Sequence, residues 1–196
     1  MSMVTNIVIA GVGGQGTILA SRLLGQLAME LGMDIKISEV HGMSQRGGSV
    51  VTYVRFGEKV LSPIVEEGEA DYLLAFERLE AARFIHMLKK DGMLVMNSQE
   101  IMPATVASGR AAYPDDISAK LRSFSEITVY EIDALRIAID SGFIRAANVA
   151  LMGAFAAVTN LPYELFIKSL ETILNGRHME ENMKAFVQGY EKVREV

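Results

Sequence analysis

Cysteine is absent from the 196 residues, which removes disulfides, thiolate nucleophiles and Cys-ligated zinc or iron–sulfur centres. Any redox centre that works with this chain must be carried by another. Histidine is scarce: His41, His86 and His178 are too scattered for a ligand set, and no H-x-x-x-H or acid-flanked pair occurs, so a metal site is not expected. Basic charge is not in excess either. Lys+Arg number 19 against 24 Asp+Glu, a formal charge of -5, whereas duplex binding needs Lys and Arg gathered on one face. The most apolar segment, Val149 to Val158, falls short of the roughly 20 apolar residues that cross a bilayer. The opening Met-Ser-Met-Val-Thr-Asn has no Lys or Arg ahead of a long apolar stretch, so no signal peptide is expected. No G-x-S-x-G elbow accompanies Ser44 or Ser49, and hydrolase chemistry finds no support. A cytoplasmic protein with no nucleic-acid or membrane partner is the expectation.

What is present points to an α/β core. Half of the residues are apolar, enough for one domain spanning 1–196, with an α/β part over about 1–140 and helices over about 145–196. Val4 to Ala10 reads as a strand ended by glycines. Ile18, Leu19, Leu23, Leu27 and Leu31 then recur at helical spacing before Gly32, a helix-ending residue. Asp34 to Val40 alternates as a strand. Ser49 to Phe56 and Lys59 to Leu61 bracket Gly57-Glu58, which predicts a hairpin. Ala70 to Phe76, the helical stretch Leu79 to Leu88 and Gly92 to Asn97 form a β-α-β unit, and Ile127 to Ile132 follows a helix that Asp115 or Asp116 is placed to cap.

Helical spacing then holds through Asn148 to Val158, through Phe166 to Leu174 after a first-turn Pro162, and through Met179 to Tyr190. Met87, Met93, Met96, Met152, Met179 and Met183 lie within these apolar patterns and read as core filling, not as a cofactor pocket. The run Glu66, Glu67, Glu69, Asp71 reads as a solvated stretch. The fold class expected is α/β, a three-layer, Rossmann-like mixed sheet with a hairpin, followed by a C-terminal helical segment.

Two loops carry the functional signal. Gly11, Gly13 and Gly16 satisfy G-x-G-x-x-G between the first strand and first helix, with Gly14 and Gln15 inside the motif. Such a loop brings an anion against helix N–H groups. Glu39, near the end of the second strand, would suit the ribose acceptor of a dinucleotide fold. A long glycine loop and a hairpin follow where that fold places a crossover helix, so three readings stand together: NAD or FAD, another phosphorylated ligand, or glycines that only permit close packing. The second loop carries His41, Ser44, Gln45, Arg46, Gly47 and Gly48. Its arginine offers planar paired donors to an oxyanion.

Gly11-Val-Gly-Gly-Gln-Gly16, then Ser44-Gln-Arg-Gly-Gly-Ser49, then Ser62-Pro63, then Asn148 with Gly153 follow one another along nearly the whole chain. This pattern resembles the gamma domain of the 2-oxoacid:ferredoxin oxidoreductases. In length and motif order it is most similar to the beta subunit of the indolepyruvate type. The resemblance implies an enzyme that is inactive as this chain alone. Its complex decarboxylates a 2-oxoacid on thiamine diphosphate and magnesium, passes electrons through iron–sulfur clusters to ferredoxin, and forms an acyl-CoA. Those cofactors would belong to a large alpha partner, consistent with the missing cysteines and a missing G-D-G motif here. No catalytic residue is assigned to this chain. Its implied share is assembly and part of a coenzyme A site, with Gly11, Gly13, Gly14, Gln15 and Gly16 and with Ser44, Gln45, Arg46, Gly47 and Gly48 as candidates. Self-association of the isolated chain is expected, with Phe155, Phe166 and Phe186 of the terminal helices as its source.

Overall fold

A computed structural model describes residues 4–195 apart from 42–46. Six strands form one sheet in the order β2-β3-β1-β4-β5-β6: β1 Val4–Val12, β2 Asp34–His41, β3 Ser49–Gly57, β4 Ala70–Ala75, β5 Leu88–Asn97 and β6 Thr128–Ile132. β1, β4, β5 and β6 run parallel. β3 is antiparallel to both β1 and β2.

Side chains alternate across the sheet, as the two-residue period of a strand requires. Ile7, Ile9, Val54, Phe56, Leu74 and Val95 enter one apolar layer, and Val8, Ala10, Val51, Leu73, Leu94 and Met96 enter the other. The first layer is covered by α1 (Thr17–Glu30), α5 (Ala134–Ser141), α6 (Ala147–Val158), α7 (Tyr163–Leu174) and α8 (Met179–Arg194). The second lies under α2 (Arg78–Phe84) and α4 (Ile117–Arg122), while the single-turn α3 (Ala104–Ala107) buries nothing. The expected three-layer mixed α/β fold with terminal helices is therefore present.

The hairpin is not where the sequence places it. Lys59 to Leu61 is not a strand, and Leu61 is 85% exposed. β3 is already bonded along both edges, so no edge remains for that segment. The Val60 N–H bonds the Asp34 carboxylate instead, at 2.9 Å. The true hairpin pairs β2 with β3, from Asp34↔Gly57 to His41↔Val50.

Neither Asp115 nor Asp116 caps α4 through its side chain, because Asp116 takes a left-handed backbone, φ 58°. Pro162 is the residue before α7, one position earlier than a first-turn proline. Asp71 is not solvated: its carboxylate accepts the Asn6 N–H at 2.7 Å and pairs with Lys89. Phe155, Phe166 and Phe186 are fully buried, mutually packed rings, so they cannot drive self-association.

α6 explains that burial. Val149 to Ala156 are all buried, as in a helix that is apolar all round. α8 lies against it at backbone distance. A Cβ on Gly153 would stand 2.0 Å from the Phe186 carbonyl oxygen, and one on Gly189 would stand 1.9 Å from that of Ala150. The two helices can close only because both contacts are glycine.

Gly153→Ala is accordingly expected to cost roughly 3 kcal/mol or more, since backbone, unlike a side chain, cannot rotate away. Gly68→Ala, in open space at φ +74°, is expected to cost about 1 kcal/mol. Urea denaturation of both variants checks this; equal losses would refute the close-contact account.

Candidate functional site

The first glycine loop leaves the carboxyl end of β1 and turns into α1. At Gly16 the backbone is left-handed, φ +93°, and a Cβ there would lie 2.3 Å from the Asn148 amide nitrogen at the start of α6. Only glycine fits.

β3 brings the second loop's end onto the first. The Gly13 N–H donates to the Gly48 carbonyl at 2.9 Å, and the Gly47 N–H donates to the Gly13 carbonyl at 3.2 Å. The first and second strands of the sequence are not neighbours. The loops meet because β3 lies between those strands and pairs with β1. Gly13, Gly47 and Gly48 thus form the joint between the loops. Ser44, Gln45, Arg46 and the His41 side chain lie outside the described residues.

Gln15 is a bracket. Its side-chain oxygen accepts the Val12 N–H at 2.8 Å, and its amide donates to the Phe76 carbonyl at 3.0 Å and to Gln99 at 3.1 Å. Phe76 follows β4. β1 and β4 are neighbours whose following helices, α1 and α2, lie on opposite faces, which makes this the switch point where doubly wound sheets open a crevice. The Gln15 amide spans that crevice. Asn97 reinforces it, donating to the Phe76 carbonyl at 3.3 Å and accepting the Ala134 N–H at 3.1 Å.

Beyond the bracket, the N–H groups of Gly14, Gly16, Thr17 and Ile18 find no acceptor among the described residues. Consecutive N–H groups at the start of a 14-residue helix attract an anion through their own dipoles and that of the helix. Asn148 closes the wall beside Gly16. Its amide oxygen is buried and, among the described residues, has no hydrogen-bond partner.

A buried acid pair supports the joint from the other face, and the sequence reading had passed over it. Glu77 and Glu80 are 1% and 2% exposed. Glu77 caps α2 by accepting the Glu80 N–H at 2.9 Å, and it also receives the Ile101 N–H at 3.1 Å and the Tyr113 hydroxyl. Glu80 receives the Ser49 hydroxyl and Arg83, the latter at 2.8 Å. Burial raises the Glu80 pKa and the neighbouring Glu77 charge adds to the rise, while Ser49 and Arg83 oppose it. Burial, then the bond to Glu77, pushes the Tyr113 hydroxyl far up. The E-x-x-E spacing at the start of a helix was the available signal.

Further along the carboxyl edge, Arg78 bonds Glu131 at 2.8 Å and Glu100 at 2.6 Å. Burial acts against the Glu131 charge, but Arg78, Ser118 and Arg122 outweigh it and hold its pKa down. No group of three or more His, Cys, Asp or Glu among the described residues is placed to hold a metal. Glu39, on the edge strand, accepts the Ser21 hydroxyl at 3.4 Å.

The architecture sets a glycine loop at the switch point of a mixed α/β sheet finished by a buried helical cap. Residues 6–192 match the pyruvate ferredoxin/flavodoxin oxidoreductase family, and the chain belongs to it. It is 40% identical to the indolepyruvate oxidoreductase subunit IorB of Thermococcus kodakarensis, over 97% of this chain and 96% of that protein. It is 28% identical to the pyruvate synthase subunit PorC of Methanocaldococcus jannaschii over 93% of both. The keto/oxoacid ferredoxin oxidoreductase gamma subunit from Geobacter sulfurreducens shares the fold, with a TM-score of 0.73 at 24% identity over 98% and 99% of the two chains. So does 31% of a chain of the Magnetococcus marinus 2-oxoglutarate:ferredoxin oxidoreductase, with a TM-score of 0.76 at 18% identity over 98% of this chain.

The raised Glu80 pKa has a signed consequence. Between its ordinary value of 4.5 and its higher folded value, the folded state binds more protons than the unfolded state, so this group's contribution to stability declines as pH rises through that interval. Glu80→Gln should remove that decline. Melting temperatures of both proteins across the acidic range test it, and parallel curves would contradict it.

Proposed function

We propose that this chain is the small subunit of an indolepyruvate-type 2-oxoacid:ferredoxin oxidoreductase and that its first glycine loop holds a phosphate of coenzyme A. The observation that carries the ligand is the set of four N–H groups from Gly14 to Ile18 without an acceptor among the described residues, walled by Asn148. Whole-length similarity to indolepyruvate oxidoreductase subunits supports the assignment. Coenzyme A is among the ligands named for the Magnetococcus marinus enzyme.

A dinucleotide reading fits the geometry less well. A dinucleotide fold sets its second strand parallel beside the first, whereas β3 takes that place and β2 with Glu39 is moved to the edge. Gln15 also crosses the switch-point crevice.

On this proposal the partner is a large alpha subunit carrying thiamine diphosphate, magnesium and the iron–sulfur clusters, and ferredoxin receives the electrons through the complex. The 2-oxoacid binds on the partner. A cytoplasmic location follows from ferredoxin-linked metabolism, and no helix among the described residues is long and apolar enough to cross a membrane. The chain alone should show no oxoacid oxidation with thiamine diphosphate and a dye acceptor, and should support it once mixed anaerobically with the large subunit. Turnover by the chain alone would reject the division of labour. Self-association of the isolated chain belongs to the same proposal, with Ile37 and Val40 on the edge strand β2, 40% and 47% exposed, as its apolar source. A monomer by light scattering at high concentration would count against it.

The ligand assignment is tested with Asn148→Asp, which exchanges an amide nitrogen for a charged oxygen beside Gly16 at unchanged shape. Repulsion of a phosphate at such range amounts to several kcal/mol at an effective dielectric near 20, so the KM for coenzyme A should rise at least about tenfold. The KM for the oxoacid should stay nearly constant. Arg46→Lys should raise the coenzyme A KM modestly, by loss of paired donation, with little change in the oxoacid KM. If both variants melt normally and coenzyme A dependence is unchanged, the glycines are packing devices in a structural subunit.

A further inference from the structure

A groove between α7 and α8 shares no residue with the glycine-loop site. The half-buried side chains Met179, Met183, Val187 and Tyr190 lie three or four residues apart on α8, so they occupy one stripe of the helix. The stripe runs beside the fully buried side formed by Asn182, Ala185, Phe186, Gly189 and Val193. Two openings meet at Val187. One, of about 740 Å³, lies over Met179, Met183 and Glu171. The other, of about 620 Å³, lies over Tyr190, Tyr163 and Glu164. The end of α7 therefore adjoins the start of α8, and the start of α7 adjoins the end of α8. The two helices are antiparallel, and the openings form one trough that runs roughly 24 Å from Met179 to Glu195, or about four helical turns.

The ends of the trough differ in kind. Met179 and Met183 supply flexible thioethers, which adapt to the shape of whatever covers them. At the other end Tyr163 and Tyr190 pack edge to face with ring centres 4.7 Å apart, and Phe186 backs Tyr163 at 5.8 Å. The Arg194 guanidinium stands 5.6 Å from the centre of the Tyr190 ring, so this ring already receives a cation. The rim is acidic. Glu164, Glu171, Glu180 and Glu191 are exposed along it, and none forms an ion pair among the described residues. The rim's two cations are already engaged, Arg194 on Tyr190 and Lys184 with the Asp140 carbonyl at 3.0 Å.

An apolar stripe of helical period, bordered by unpaired carboxylates, is complementary to a helix that is apolar along one side and basic on its flanks. We propose that this trough docks such an amphipathic, Lys- and Arg-flanked helix of a partner protein, laid against α7 and α8 as the third helix of a bundle. A second copy facing the trough would set acid against acid, and an anionic lipid surface would be repelled by the same charge. The inference is independent of the coenzyme A reading.

The probe is a dye-labelled synthetic peptide of about 16 residues, long enough to fill the trough as a helix, with Leu along one side and Lys on both flanks. Fluorescence anisotropy reads its binding to the full chain. The Met183→Glu, Val187→Glu double variant should weaken binding by about tenfold or more, the scale of a central apolar contact. The Glu171→Gln, Glu180→Gln, Glu191→Gln triple variant leaves that floor intact and should weaken it by about fivefold, the sum of three exposed ion pairs. Glu58→Gln, Glu66→Gln, Glu67→Gln removes the same charge from exposed residues outside the trough, and should change binding by less than about twofold. Equal weakening in the two triple variants means that net charge alone attracts the peptide, and overturns the proposal. Binding that survives the double variant, or equal affinity for a peptide with Glu in place of every Lys, also overturns it. If the double variant instead abolishes self-association of the chain in light scattering, the occupant is a second copy and the proposal fails. Should the double variant melt early, the comparison of the two triple variants decides.

Discussion

The antiparallel pairing of β3 with β1, from Val4↔Gly57 to Val12↔Ser49, governs the geometry of the candidate site. A parallel crossover at this point would carry the chain away from the glycine loop. The antiparallel return instead delivers Gly47 and Gly48 directly onto Gly13, so two loops separated by about thirty residues share backbone hydrogen bonds. The same pairing places Ser49 over α2, where Glu80 accepts its hydroxyl. Strand order, loop contact and the buried acid thus follow from one register. A one-residue slip would turn Val54 and Phe56 out of the core.

The joint rests on polar groups removed from water, which is costly unless each finds a partner. Glu77 meets that condition with three donors and Glu80 with two. Gln15 uses both ends of its amide. Asn148, beside Gly16, leaves its oxygen without a partner among the described residues. Rigidity on one side of the loop and backbone N–H groups without acceptors among the described residues on the other would suit the preorganised anion site proposed here, because ordering after binding would subtract from affinity.

Much of this was legible beforehand. The parallel β-α-β unit, the first glycine loop with α1, and the three terminal helices all announce themselves through period and glycine placement. The hairpin was misplaced because Lys59 to Leu61 alternates like a strand, and alternation does not say whether a free edge exists to pair with. α5 was missed although Asp133 caps it, accepting the Arg136 N–H at 2.8 Å, and Gly142 ends it in a left-handed turn. Its eight residues gave too short a periodic signal, and the caps were the better guide. In the site, the glycines, Gln15 and Asn148 were legible as motif members, but not their separate tasks. Only the strand register shows that Gly13 joins loops while Gly14 and Gly16 leave donors exposed. Glu77 and Glu80 were passed over because burial is a tertiary property.

The meeting of α6 with α8 through Gly153 and Gly189 also bears on the order in which the chain matures. α6 contributes an unbroken apolar surface to the layer beneath the sheet, yet one side of it is sealed only by the last helix described. During synthesis the sheet is complete in sequence well before that seal exists, so the nascent molecule presents a sticky α6 until α8 has emerged from the ribosome. Consolidation of the interior is thereby coupled to the emergence of α8, and a product broken off before α8 would be conspicuous to chaperones and proteases.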